Sequence, residues 1–250
     1  MNMPYDLSSS YGDYCFEERD IIVERIHDDL PELKADVFDR VGGDGSVLRS
    51  AHLGERKIVL ECRAYRTRWR EFDKVKDEMA QLLMLDGEHV LSLRNHFGEY
   101  YLARLVAFSE DDRIGGTGIG QFTLTFTAYD PIRFGSKQIA TVPSGGSVDI
   151  DVSGSYPTTF TVNTNVATRD STTQLWGLRF DDGDFLYVKI PTNGTTPVSM
   201  DSYTRQVSVA NQPSIVTLES NWPFLKAGTH TVSMAMGTGP ATIEWQERNV

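Results

Sequence analysis

The sequence predicts a mainly β protein of two domains, residues 1–136 and 137–250, with a single helix in the first. Three observations predict it. Period-two alternation recurs through the first half and is cleanest in Gln121-Phe-Thr-Leu-Thr-Phe-Thr-Ala128. One stretch alone, Thr67 to Leu85, carries helical periodicity. Beyond the connector that begins at Phe134-Gly-Ser-Lys137, charge thins and Thr, Ser, Val and Gly rise. There, short strands recur roughly every ten residues between Gly, Pro and Asn turns, as in a β-sandwich or jelly roll. The domain boundary falls near 134–142, just after Asp130-Pro131 ends the alternating pattern.

The first twenty residues place Tyr5, Tyr11, Tyr14 and Phe16 among Ser, Asp and Gly. Such an arm buries its rings against its own domain or against a neighbour. Ile21–Ile26 and Val37–Val41 read as strands, with Gly42-Gly-Asp-Gly-Ser46 as a turn that tolerates positive φ. Lys57–Tyr65 alternates, with Ile58, Leu60, Cys62 and Ala64 on one face.

In the helix, Trp69, Phe72, Val75, Met79, Leu82 and Leu83 form the apolar stripe. Thr67 is placed to cap its start, and Gly87 follows its end. Val90–Arg94 and Tyr100–Phe108 are the next strands, joined by the Asn95-His-Phe-Gly98 turn. Ser109–Gly120 is polar and glycine-rich, and reads as the flexible tip of a long hairpin that returns through Gln121–Ala128.

The second half reads as strands at Val148–Val152, Phe160–Asn163, Leu175–Phe180, Phe185–Ile190 and Tyr203–Ala210. A Trp222-Pro223 corner, a turn at Gly228 and a last strand, Ala241–Arg248, close the chain.

Composition excludes several classes of function. A net charge of −11 argues against specific nucleic-acid binding, which needs clustered Lys and Arg; it still permits nucleic acid as a passing cargo. No stretch approaches the ~20 apolar residues of a membrane span. Met1–Phe16 has neither the basic start nor the apolar run of an export signal, so folding in a cytoplasm is expected. Cys15 and Cys62 fit a reducing compartment and read as small packing residues.

Chemistry-bearing patterns are weak throughout. Gly115-Gly-Thr-Gly-Ile-Gly120 lacks the Lys-Ser/Thr of a phosphate loop and opens no helix. Asp181-Asp-Gly-Asp184 reads as a tight turn, with a surface calcium site as the alternative; it lacks the remaining ligands of a calcium loop. The five histidines form no metal-ligating spacing, no GxSxG elbow exists, and no carboxylate pair stands out among 35 acidic residues. The expectation is therefore no catalytic, cofactor-binding or metal residues, and a glycan hydrolase is the least favoured class.

Two motifs carry a family resemblance. The first is Phe122-Thr-Leu-Thr-Phe-Thr-Ala-Tyr-Asp-Pro131 followed by Phe134-Gly135. The second is the ending that runs from Leu218 through Trp222-Pro-Phe-Leu to Met234 and closes on Ala241-Thr-Ile-Glu-Trp-Gln-Glu-Arg248. Together with the Gly43-Asp-Gly45 turn and the single helix, they resemble the distal tail (Dit) proteins of long-tailed siphophages over most of the chain. The resemblance implies a β-sandwich or barrel-like N-terminal domain with one helix and a long β-hairpin, followed by a galectin-like β-sandwich.

It further implies a structural protein of the virion's distal tail, assembled in the host cytoplasm as a homo-oligomeric, hexameric ring. Its partners would be the tail tube, the tail-tip or tail-associated lysin protein and the tape measure protein, with DNA passing through the bore and a receptor-binding protein as a further partner. Subunit contacts are expected from Tyr5, Tyr11, Tyr14 and Phe16, and from Asp111, Asp112, Arg113, Ile114 and Ile119 of the tip. On this reading, deletion of 1–16 leaves a folded chain that cannot form the ring.

The alternative is a carbohydrate-binding module for cell-wall polysaccharide. It would use aromatic rings of the second domain, with Trp176, Tyr187 and Tyr203 as candidate contacts and Trp222 and Trp245 assigned to the core.

Overall fold

The structure, a computed structural model, describes residues 8–66, 69–113, 118–181, 183–191 and 194–250. The expectations for Tyr5, the Thr67 cap, Ile114, Gly115–Thr117 and Asp182 fall outside the described residues. The chain divides into two compact units, Met1–Arg133 with Val250, and Phe134–Asn249.

The first unit contains strands β1 (Ser10–Tyr11), β2 (Tyr14–Cys15), β3 (Ile21–His27), β4 (Leu33–Asp39), β5 (Ser46–Leu53) and β6 (Arg56–Arg66). Helix α1 (Trp69–Leu83), β7 (His89–Ser92), β8 (Tyr100–Arg113) and β9 (Gly118–Ala128) follow. Its main sheet runs antiparallel in the order β3-β6-β9-β8-β7-β1-β2. β6 and β9 pair without a break from Arg56–Ala128 to Arg66–Gly118.

The sheet curls until its edges approach. The Arg94 guanidinium, just beyond β7, donates to the Glu24 carbonyl of β3 at 3.2 Å, and the Ile21 amide donates to the Phe16 carbonyl at 3.0 Å. The interior is what alternation dictates: Ile58, Leu60, Cys62 and Ala64 are buried with Phe122, Leu124 and Phe126 of β9. Phe72, Val75 and Met79 of α1 are fully buried against them, each contributing roughly 1.5–3 kcal/mol of burial.

The second unit continues with β10 (Arg133–Val142), β11 (Ser147–Val152), β12 (Phe160–Val166), β13 (Leu175–Phe180) and β14 (Phe185–Lys189). It ends with β15 (Thr196–Asp201), β16 (Gln206–Val209), β17 (Gln212–Ser214), β18 (Gly228–Met236) and β19 (Ala241–Asn249). Two sheets result among the described residues, ordered β17-β16-β15-β12-β19-β10 and β11-β18-β13-β14. Their inward residues, among them Phe160, Val162, Trp176, Leu178, Phe180 and Ile243, form one core, with Trp222 partly buried against it.

Several elements differ from expectation. Ser46–Leu53, the connector Arg133–Val142 and Thr196–Asp201 are strands. Tyr203 is not in a strand: the Asp201 carboxylate accepts from the Tyr203 and Thr204 amides at 2.8 and 3.3 Å, which holds a turn instead. Of the 109–120 segment, Ser109–Arg113 and Gly118–Gly120 are strand. Lys76 pairs with Glu110, Arg113 pairs with Asp73 at 2.7 Å, and the tip thereby lies on α1.

Candidate assembly surface

The β4–β5 hairpin stands apart from its own unit. Every residue of Leu33–Asp39 is exposed, as are most of Ser46–Leu53. Its register pairs Leu33 with Leu53, Ala35 with Ala51 and Val37 with Leu48 across a bulge at Asp36/Val37, giving the hairpin one apolar face. Val37, Phe38 and Leu48 are 55%, 54% and 59% exposed, and Val41 at the turn is fully so. An isolated two-stranded hairpin is at best marginally stable in water, and an uncovered apolar strand pair marks a contact surface. The hairpin's own polar pairs, Arg49 with Asp36 at 3.9 Å and Ser46 with Asp39 at 3.1 Å, are exposed and contribute little.

The root of the hairpin is held firmly. Arg56, 3% exposed, donates to the Asp28 carbonyl at 2.8 Å and lies over the Tyr101 ring at 5.2 Å, tying the chain just after β5 to the chain just before β4. The Asp28 carboxylate accepts from the Tyr101 hydroxyl at 3.1 Å and meets His96 Nε2 at 2.5 Å. Arg133 contacts His96 in turn and pairs with Glu99 at 3.4 Å. Burial pushes the Tyr101 phenol above its ordinary range, with Arg56 pulling the other way.

A groove of about 700 Å³ opens elsewhere on the same unit, between the β1–β2 turn, the end of α1 and β7. Tyr14, Leu82, Leu85, Val90 and Leu102 line it. Met84, 80% exposed, follows the helix next to Leu85.

The residues expected at subunit contacts separate into two groups. Tyr11 and Phe16 are 1% and 0% exposed, packed inside their own unit, and have no side-chain surface to offer a neighbour. This corrects their assignment: the arm supplies core rings. Tyr14 is half-buried, donating to Glu78 at 2.6 Å beneath Arg19.

Asp111 and Asp112 are exposed, while Arg113 lies over the Phe72 ring at 4.8 Å and Ile119 is half-buried. The exposed apolar hairpin was not singled out in the sequence, because nothing in its alternation tells whether a core faces it.

The three candidate sugar contacts do not come together. Trp176 is fully buried in the sandwich core and presents no ring face, which removes it as a contact. Tyr187 lies on the outer face of the β11-β18-β13-β14 sheet, stacked on Phe185 with centroids 4.7 Å apart. It crosses Gly177, where a Cβ would meet the Tyr187 Cα at 3.0 Å. Tyr203, 76% exposed, is on the turn from β15 to β16 in the other sheet.

Two family models match the chain. Residues 6–128 match the phage tail protein RIFT-related domain, and residues 153–248 match the siphovirus-type tail component, C-terminal domain. The chain belongs to the distal tail protein (Dit) family of siphophages. Its fold is similar to that of the SPP1 Dit protein, described as a paradigm of the hub adsorption apparatus in phages infecting Gram-positive bacteria. The TM-score is 0.78 at 18% identity, over 97% of this chain and 99% of that one.

The phage P2 baseplate in its activated conformation holds further similar chains. With Ca the TM-score is 0.46 at 9% identity, and with Sr it is 0.47 at 8%; each match covers 96% of this chain and 97% of the other. Among curated proteins, sequence comparison finds no match. As a member of this family, the chain is a structural component of the phage tail.

Proposed function

We propose that the chain acts by assembly, tiling copies of itself into a closed ring at the distal end of the tail. Each β4–β5 hairpin would lie on the first unit of the next subunit. The observation that carries this reading is the hairpin's apolar face, Leu33, Ala35, Val37, Leu48, Ala51 and Leu53, left without a core in its own chain.

A head-to-tail contact needs two different complementary surfaces on one protomer, and repeating it by a rotation that closes gives a ring. The groove lined by Tyr14, Leu82, Leu85 and Val90 is the complementary surface we assign, because it is concave, sets these apolar side chains beside Asp13, Arg19 and Glu88, and is close to the exposed Met84. Asp111 and Asp112, exposed on the β8–β9 ribbon, belong to the same proposed contact zone.

The ring would link the tail tube to the tail-tip or tail-associated lysin protein, and its bore would pass the tape measure and then DNA. Six subunits is the number the family resemblance implies. The acidic balance of the chain fits a bore that repels phosphates and does not retain them. The test is electron microscopy of the purified chain alone and together with its tail tube protein. A ring is expected, and a ring that persists after the hairpin is replaced by a short Gly-Ser link would refute the placement of the contact.

A further inference from the structure

We propose that His96 is a pH-sensitive latch on the two points where the chain passes out of its first unit and back into it. Those points are Arg133, the last residue before the chain crosses to Phe134, and Val250, which rejoins the first unit. One guanidinium holds both. Arg133 Nη2 donates to the Val250 backbone oxygen at 2.9 Å, while Nη1 contacts His96 Nδ1 and lies 3.0 Å from Nε2. The His96 side chain is 21% exposed, and a hollow of about 350 Å³ beside it, lined also by Ser8, Phe97 and Tyr100, lets protons reach the ring from solvent.

Partner chemistry fixes the form of the ring. The Asp28 carboxylate, 2.5 Å from Nε2, only accepts, so Nε2 carries the hydrogen. A guanidinium only donates and keeps its charge at every accessible pH, so Nδ1 faces it as a lone pair. His96 is therefore neutral while Arg133 is in place. Imidazole ordinarily changes charge between about pH 5 and 8. Protonation at Nδ1 removes the lone pair and sets a second cation against the guanidinium. The state with Arg133 in place binds fewer protons, so the latch is closed at high pH and opens as pH falls.

The groups around the ring decide which of the two cations leaves. Asp28 faces it from the chain before β4, and Glu99, in the turn before β8, lies 4.0 Å from Nδ1 and 3.4 Å from Arg133 Nε. Tyr101 of β8 meets the ring edge-on at 6.3 Å and donates to Asp28. Arg56 of β6 lies over Tyr101 and donates to the Asp28 and Pro131 carbonyls. With His96 neutral, the side-chain charges of Asp28 and Glu99 balance those of Arg56 and Arg133. Protonation leaves one positive charge in excess. The imidazolium then competes for Glu99, to which Arg133 Nε makes no aligned hydrogen bond. Arg133 loses its ring contact and its carboxylate together, and with them its grip on Val250. Asp28 keeps both the imidazolium and Tyr101, so the root of the β4–β5 hairpin stays held.

The test titrates the full chain from pH 8 to pH 4.5 and reads the His96 ring nitrogens and the backbone resonances of Arg133, Phe134 and Val250. At pH 8 the neutral Nε2–H ring is expected. As pH falls, ring protonation and shifts at Arg133, Phe134 and Val250 are expected to follow one curve with a shared midpoint, while Ala35 and Leu53 of the hairpin stay in place. His96→Gln, which keeps a neutral donor and acceptor, is expected to lose the transition at Arg133, Phe134 and Val250; an unchanged melting temperature at pH 8 checks that it is folded. Arg133→Met removes the opposing cation and is expected to move the ring's midpoint to higher pH. A charged or Nδ1–H ring at pH 8 overturns the proposal. So does a ring that titrates without Val250 following, a transition that persists in His96→Gln, or a midpoint that Arg133→Met leaves unchanged or lowers.

Discussion

The Tyr11 hydroxyl sits 3.2 Å from the Leu105 amide, which donates to it across ninety-four residues of sequence. The ring meets Phe126 edge-on at 5.0 Å, and burial raises the phenol above its ordinary range. The N-terminal segment is thus part of the core of the first unit. Its loss is a loss of fold before it is a loss of contact.

Tyr11→Ala is expected to destabilise the first unit by about 3–5 kcal/mol, the usual cost of truncating a buried ring. Tyr11→Phe leaves the Leu105 amide unpaired and is expected to cost about 1–3 kcal/mol. Denaturant unfolding of both variants measures this. Deletion of 1–16, which removes Tyr11 and Phe16 together, is expected to prevent folding of this unit, reported by lost amide dispersion.

Gly120 is set against the Phe72 ring so closely that a Cβ there would lie 2.6 Å from Cζ. Neither the β9 backbone nor the buried helix can yield freely. Gly120→Ala is expected to cost about 1–3 kcal/mol through overpacking. An unchanged denaturation midpoint would contradict the close approach of α1 to β9.

Glu17 accepts from the Ser9 amide at 3.0 Å, and burial holds its carboxyl above the usual range. A raised carboxyl binds its proton more tightly folded than unfolded. Its contribution is therefore fully present below the ordinary glutamate pKa and is lost as pH rises through the raised value. Glu17→Gln is accordingly expected to melt higher than the parent at pH 7 and to lose that advantage at pH 4. Parallel melting curves at the two pH values test the sign.

Val37→Glu and Leu48→Glu put charge on the apolar face of the hairpin, at positions that are 55% and 59% exposed. In the protomer they are expected to change stability by no more than about 0.5 kcal/mol, as surface substitutions usually do. In assembly they are expected to abolish the ring. Thermal melting and native mass measurement, taken together, separate the two effects.

Sequence pattern reached the fold further than it reached the surfaces. Ile58, Leu60, Cys62 and Ala64 alternate because one face of β6 is buried, and the helix stripe of Phe72, Val75 and Met79 follows from the same cause. Alternation does not tell what covers a face. Val37 and Leu48 look as core-bound as Ile58 and Leu60 in sequence, yet they are exposed. Trp176 shows the reverse: an aromatic residue available for stacking by composition is fully enclosed by tertiary packing. Thr196–Asp201 was illegible as a strand because its buried residues, Thr196, Val198 and Met200, include one polar residue and follow the Asn-Gly-Thr turn signal directly.

The central claim is that an apolar hairpin joins neighbouring copies into a ring. The most direct measurement is electron microscopy of tails assembled with the parent chain and with the Val37→Glu, Leu48→Glu double variant. The account predicts a closed ring at the distal end of the parent tails and no ring on the variant tails, with the variant protein still folded. A ring of the same size on both would contradict it.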